Sequence, residues 1–334
     1  MKKTICAIIS IVLIVSLVGC ASPKNTSTTK KEDTKFKVAL LVPGSINDNG
    51  WNASAYAGLK LIEKELGAEI SYVEAGNPTD MKTSFRDYAD SGNNLIIGHG
   101  YQYQDAALEV SKDYPKTYFV SIGGNKTSAN CVPAVMRLEE VSYLSGMISA
   151  TLTKTKKIGF IGAMDSPAIT KGFRAFEMGI KSIDPSITVM TTYVGSWDDV
   201  NAGYEAALNQ INKGADILAP NGNAVNLGVL KATNEKKVMS WGSINDQSSL
   251  SPDYMIGSDI TYVDKLYLSI AKVVKDKKFI GNTQLSAGIK EGVVEMKLNP
   301  KFKGKISDEI LAKAEQAKND ILSGKLVIPG ENDK

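Results

Sequence analysis

Residues 44–59, GSINDNGWNASAYAGL, crowd Asn47, Asp48, Asn49, Trp51 and Asn52 into one short turn. Such a set can do two kinds of chemistry. A carboxylate or carboxamide at a helix start satisfies the backbone N–H groups there. An indole flanked by hydrogen-bonding groups can hold a flat heterocycle, with stacking worth about 0.5–1.5 kcal/mol beyond area burial. Capping needs only one Asp or Asn, and Trp51 is then a staple to the core. On the residues alone both readings stand: cap and staple, or a planar ligand stacked on Trp51 with Asp48 and Asn52 on its edge.

Similar clusters recur further on. They read Gly98-His99-Gly100-Tyr101-Gln102-Tyr103, Gly195-Ser196-Trp197-Asp198-Asp199, Pro220-Asn221-Gly222-Asn223 and Trp241-Gly242-Ser243-Ile244-Asn245-Asp246-Gln247. The candidate ligand-binding residues are therefore Asp48, Trp51, Asn52, His99, Tyr101, Trp197, Asn221, Asn223, Trp241 and Asp246. Enzyme chemistry is harder to assemble. His99 is the one histidine, which excludes a His pair for zinc and an HExxH helix. The chain has no GxSxG elbow and no GxxxxGK[ST] loop, and Gly98-His99-Gly100 lacks the third glycine of a dinucleotide fingerprint. Asp198-Asp199 reads as a helix cap before it reads as a catalytic pair. These residues therefore point to no catalytic residue, no metal site and no cofactor.

The elements that must position these clusters alternate between strand and helix. The run 36–42 (FKVALLV) is a buried strand by its continuous apolar character, and Ala55, Leu59, Ile62 and Leu66 follow at helical spacing. Strands are expected over 70–74, 95–98 and 117–122, with helices over 79–89, 105–113 and 138–152. The same grammar then restarts. Strands are expected over 157–161, 188–194, 215–219, 238–241 and 254–257, with a helix opened by Ser166-Pro167 and others over 198–212, 225–235, 263–275 and 307–322. Two successive α/β runs predict two parallel-sheet lobes. The lobe boundary is expected at the polar break 153–156, giving lobe 1 as 36–155 plus part of about 260–285, and lobe 2 as 156–258 plus part of about 286–330. The clusters fall at the carboxyl ends of the strands, where open α/β sheets bind ligands. All three tryptophans, Trp51, Trp197 and Trp241, lie there, which predicts an aromatic-lined cleft.

Hydrophobic residues make up 43% and charged residues 22% of the 334, an ordinary balance for a chain with real cores. Lys2 and Lys3 precede an apolar run over 5–18, the pattern of a signal peptide spanning residues 1–19. Its ending, Leu17-Val18-Gly19-Cys20, resembles the bacterial lipobox, which implies that Cys20 carries the lipid anchor. Residues 20–35 are rich in Ser, Thr and Lys and read as a flexible tether. The 39 basic residues less Lys2 and Lys3 leave 37 against 36 acidic ones. That near-neutral balance offers no argument for nucleic acid. Cys131 is left alone as a packed residue, so no disulfide framework exists.

With these residues in view, the chain resembles the basic membrane protein (BMP) family, the substrate-binding lipoproteins of ABC transporters that include nucleoside and purine receptors. Asn47-Asp48-Asn49-Gly50-Trp51-Asn52 with Ala57-Gly58-Leu59 is similar to the family's ND-x-[SG]-[FW]-N…GL signature. Ala106-Ala107-Leu108, residues 171–179, residues 210–216 and Asp246-Gln247 extend the likeness. The resemblance implies a type I periplasmic-binding-protein fold: two doubly wound parallel-sheet lobes joined by a hinge, with the ligand in the cleft. It implies that Trp51 is the base-stacking aromatic and that Asp48 and Asn52 are polar contacts. It further implies permease subunits as partners, a monomeric receptor, and an extracytoplasmic location at the membrane.

The chain departs from the nucleoside-binding pattern in the second lobe. Where nucleoside receptors tend to read GVDSDQ, Ile244 replaces the Asp expected on ribose hydroxyls, and Thr261 stands for the expected Lys. A sugar without those partners leaves buried hydroxyls unpaired. A free purine base is therefore the expected ligand, a nucleoside the second choice. Trp51 and Trp197 would sandwich it, Asp48 would accept from a ring N–H or amino group, and Asn221 or Asn223 would read its edge. Trp241 is wall or core. A sensor lipoprotein for another flat heterocycle and a secreted nucleoside-processing enzyme are the competing classes.

Overall fold

The strand β1 (Lys37–Val42) is buried from Val38 onward, because neighbours cover both its edges and both its faces. The computed structural model describes residues 35–48 and 50–329. The signal segment 1–19, Cys20, the tether up to residue 34, and Asn49 lie outside the described residues.

After β1 the chain runs through α1 (Trp51–Leu66), β2 (Glu69–Glu74), α2 (Pro78–Asp90), β3 (Leu95–Gly98), a short 3₁₀ turn at Tyr101–Tyr103, α3 (Gln104–Ser111), β4 (Tyr118–Ile122) and β5 (Cys131–Met136). It continues with α4 (Leu138–Leu152), β6 (Lys157–Gly162), α5 (Pro167–Ile183), β7 (Thr188–Tyr193), α6 (Val200–Asn212), β8 (Ile217–Asn221), α7 (Val225–Lys236), β9 (Met239–Ile244) and β10 (Met255–Thr261). The remainder is α8 (Val263–Lys275), β11 (Leu285–Ala287), β12 (Val294–Leu298), α9 (Pro300–Lys303) and α10 (Asp308–Leu322). The first sheet has the order β11-β5-β4-β3-β1-β2 and the second β12-β10-β9-β8-β6-β7. Every pairing is parallel except β10 with β12, which is antiparallel. Each sheet has separate apolar cores on its two faces.

Three strands were not read from sequence. β5 (CVPAVM) carries Pro133, and a proline in a strand interior costs a ladder hydrogen bond. It is tolerated because β5 has only the three-residue β11 on its far side. β11 and β12 are short edge strands, and β12 alternates buried Val294 with exposed Glu295, too brief a signal to stand alone.

The chain crosses between lobes three times: at Arg137 between β5 and α4, at Tyr262 between β10 and α8, and over residues 288–293 between β11 and β12. The first crossing corrects the boundary expected at 153–156. The helix α4 packs on α5 and α10 of the second lobe. A Cβ at Gly146 would overlap the Phe176 carbonyl and one at Gly179 the Tyr143 carbonyl. The two helix backbones therefore touch, and α4 cannot belong to the first lobe. Buried charges gather at this crossing and pair with one another, as burial demands. Arg137 Nε lies 2.9 Å from Glu140, and Lys171 Nζ lies 3.4 Å from Glu139. Lys171 also donates to the Met136 carbonyl at 3.1 Å. Glu140 accepts from the Ile289 N–H at 2.8 Å, tying the first crossing to the third.

Candidate ligand-binding site

The first-lobe half of the site grows from the turn after β1. The Asp48 carboxylate accepts from the backbone N–H groups of Gly50, Asn52 and Ala53, each at 2.9 Å. Those N–H groups open α1 and have no partner within the helix. Capping by Asp48 is thus realised, and three donors from the chain itself already occupy the carboxylate expected to accept from a ligand.

Trp51 is the first residue of α1 and is half-buried. One face of its indole is covered by the His99 ring, with centroids 4.0 Å apart and planes 24° from parallel. His99 follows the last residue of β3 and is fully buried. Its Nδ1 lies 2.6 Å from the Tyr267 hydroxyl and its Nε2 2.9 Å from the Trp51 carbonyl. Burial pushes the imidazole down to about 3, so the ring is neutral and carries one N–H. The Trp51 carbonyl can only accept, which puts that hydrogen on Nε2 and makes Nδ1 the acceptor of the Tyr267 O–H. His99 spends both nitrogens inside the protein and acts as a backing plate for Trp51. Asn52 is buried, and its Oδ1 has no hydrogen-bond partner among the described residues. Tyr101 is 46% exposed on the 3₁₀ turn.

The second-lobe half comes from the loops after β7 and β8. Trp197 is half-buried against the second core, and its carbonyl accepts from the N–H groups of Asn223 at 3.2 Å and Val225 at 3.3 Å. Asn223 crosses to the first lobe. Its Oδ1 accepts from the Trp51 N–H at 3.3 Å, and its Nδ2 donates to Asp198 at 2.6 Å and approaches Asp48 at 3.4 Å. Asp199, not Asp198, caps α6, accepting from the Ala202 N–H at 2.9 Å. Asp198 is thereby free to hold Asn223. Asn221 ends β8 and borders a cavity of about 20 Å³, also lined by Ser142, Trp241, Ser243 and Asp259. That volume suits one water molecule.

Two expected site residues stand apart from this group. Trp241 is 2% exposed, and its Nε1 donates to Ser149 Oγ at 2.8 Å. It packs with Ile158, Phe160 and Phe176 in the second core, its large apolar surface drawing it inward. Asp246 lies in an outer loop, 2.9 Å from Lys297. Hydrogen bonds from Ser248, then the Lys297 ammonium, hold its carboxyl down to about 2. Residues missed from sequence are Tyr267, Asp198 as a partner of Asn223, and Asp259. Tyr267 carries no local motif. An acid inside the apolar run of β10 was a readable signal, but the expected strand stopped at residue 257.

Residues 35–332 match the family model of PnrA-like ABC transporter substrate-binding proteins. The chain belongs to this family. It is 31% identical to the ABC transporter nucleoside-binding protein BmpA of Lactococcus lactis subsp. cremoris, an alignment covering 99% of this chain and 100% of that one. It is 28% identical to Basic membrane protein A of Borreliella burgdorferi, over 89% of this chain and 88% of that one. Among solved structures it resembles an ABC transporter solute-binding protein from Aeropyrum pernix, with a TM-score of 0.78 at 21% identity, over 89% of this chain and 95% of that one. The fold is the type I periplasmic-binding-protein fold, as the resemblance implied. This member is a substrate-binding protein of an ABC transporter and not an enzyme, which places its work outside the cytoplasm. Among the described residues no helix is long and apolar enough to cross a membrane.

Proposed function

We propose that the protein is a monomeric receptor, anchored through lipid on Cys20, that captures a purine base between its lobes and delivers it to permease subunits. The observation that carries this reading is Trp51: a half-exposed indole backed on one face by a neutral His99, with Asn52 next in the chain and Asn223, itself bonded to Asp198, on its backbone N–H. An aromatic plate with polar groups around its rim suits a flat heterocycle whose edge carries donors and acceptors. The carboxylates of Asp48 and Asp198 make that rim acidic, which favours N–H donors on the ligand edge. Ile244 and Thr261 at the ends of β9 and β10 offer little to ribose hydroxyls, and this supports the base over the nucleoside. The nucleoside-binding name of the Lactococcus relative favours the second reading, a purine nucleoside.

The test is calorimetry with adenine, guanine, hypoxanthine and xanthine beside their nucleosides, after mass spectrometry of small molecules released from the purified protein. Bases are expected to bind more tightly than nucleosides. Equal affinity for adenine and adenosine overturns that order. Trp51→Ala is expected to weaken binding at least about tenfold, which is about 1.4 kcal/mol. Unchanged affinity would refute the role of Trp51.

A further inference from the structure

We infer that Asn223 is a closure latch that completes the cap of α1 from the opposite lobe. The first N–H groups of a helix lack partners within it. Asp48 serves Gly50, Asn52 and Ala53 but passes over the N–H of Trp51 between them. That N–H is taken by Oδ1 of Asn223, 172 residues further along and on the other lobe.

Three further observations support the assignment. Gly50 makes the approach possible, because a Cβ there would overlap Asn223 Oδ1. The carboxamide is oriented by its surroundings: Nδ2 faces the carboxylates of Asp198 at 2.6 Å and Asp48 at 3.4 Å, leaving the oxygen for the N–H. A flipped amide would set oxygen against oxygen and N–H against N–H. Finally, the Asn223 backbone is anchored in its own lobe by the Trp197 carbonyl, so the side chain reaches outward from a fixed base. Separating the lobes breaks the bonds to Trp51 and Asp48 and leaves the bond to Asp198.

Asn223 is therefore a positioning residue for capture. It favours the arrangement in which Trp51 and the second-lobe loops face one another. Apparent affinity scales with the population of the binding-competent state. The latch does not depend on which heterocycle binds.

The test uses the full-length chain in detergent micelles, spin-labelled at K82C in α2 and K231C in α7, with interlobe distances read by pulsed electron resonance without added ligand. Asn223→Ala is expected to shift the distance distribution toward separated lobes and to weaken purine binding about three- to tenfold. Asn223→Asp, which sets a carboxylate against Asp48 and Asp198, is expected to separate them further. Gly50→Ala, made on the other lobe, should reproduce the Asn223→Ala shift. Distances identical to the parent protein in both Asn223→Ala and Gly50→Ala overturn the latch. So does weaker binding with unchanged distances, which would make Asn223 a ligand contact. Absence of any purine binding sinks the proposed ligand, while the distances still decide the latch.

Discussion

His99 in the first lobe and Asp259 in the second are both buried, and in both burial disfavours the charged form. It pushes His99 down to about 3 and Asp259 up to about 7. Their partners put the two buried groups to different use. His99 is held at both nitrogens, by Tyr267 and the Trp51 carbonyl, and its ring face supports the Trp51 indole. Asp259 faces hydroxyls on α4. Ser145 has one proton and two acceptors, the Val141 carbonyl at 2.9 Å and Asp259 Oδ1. A protonated Asp259 resolves that shortage by donating to Ser145, which then donates to Val141. The first group supports the Trp51 indole, and the second joins β10 to α4. The tryptophans divide in the same way. Trp51 is a half-exposed platform, and Trp241 is an interior strut hydrogen-bonded to Ser149.

The contrast between lobes can be broken experimentally. Trp241→Ala should cost about 3–5 kcal/mol of stability, as large-to-small changes at buried aromatic positions do, measured by denaturant unfolding. A loss of binding without loss of stability would return Trp241 to the site.

The buried ionisable pair makes a smaller and opposite pair of predictions in pH. His99 binds fewer protons folded than unfolded, so its share of stability is complete above 6.5 and is lost as pH falls toward about 3. Asp259 binds more protons folded than unfolded, so its share is complete below 3.8 and is lost as pH rises to about 7. Between 3.8 and 6.5 the two slopes oppose one another. Asp259→Asn should unmask the rising limb and His99→Phe the falling one, each by up to about 1.4 kcal/mol per pH unit. Denaturation midpoints across this range read the slopes, and profiles unchanged in both variants would remove the comparison.

The smallest expected effect is at the cap. Asp48→Ala should destabilise the protein by about 1 kcal/mol and weaken ligand binding through disorder at Trp51. Thermal unfolding and calorimetry on the same sample separate the two. A large loss of affinity at unchanged stability would make Asp48 a direct contact.

Much of the fold was legible because its signals are local. The apolar run of β1 and the helices α4 and α8 declare themselves over 6–15 residues. β5 hid behind Pro133, and β11 and β12 were too short. The candidate site has its own local signal: Asp48 and Trp51 sit in a turn more richly dressed than a cap requires, although Asp48 does serve as the cap. Trp197 and Asn223 share their position after strands, but the meeting of Asn223 with Trp51 joins segments 172 residues away. Trp241 carried the same sequence signal as Trp51 and went into the core.

Residue order alone therefore determined which segments become strands and helices, where the polar turns fall, and that two similar halves follow one another. It did so because hydrophobic period and turn chemistry act between near neighbours. Only the tertiary structure decided that α4 joins the second lobe, that the Trp51 carbonyl sets the tautomer of His99, and that Asn223 finishes a helix begun in the other lobe. Those outcomes depend on backbones meeting at Gly146 and Gly179, on a side chain reaching Gly50, and on which polar groups lose their water, and none of these is encoded in the spacing of any one stretch.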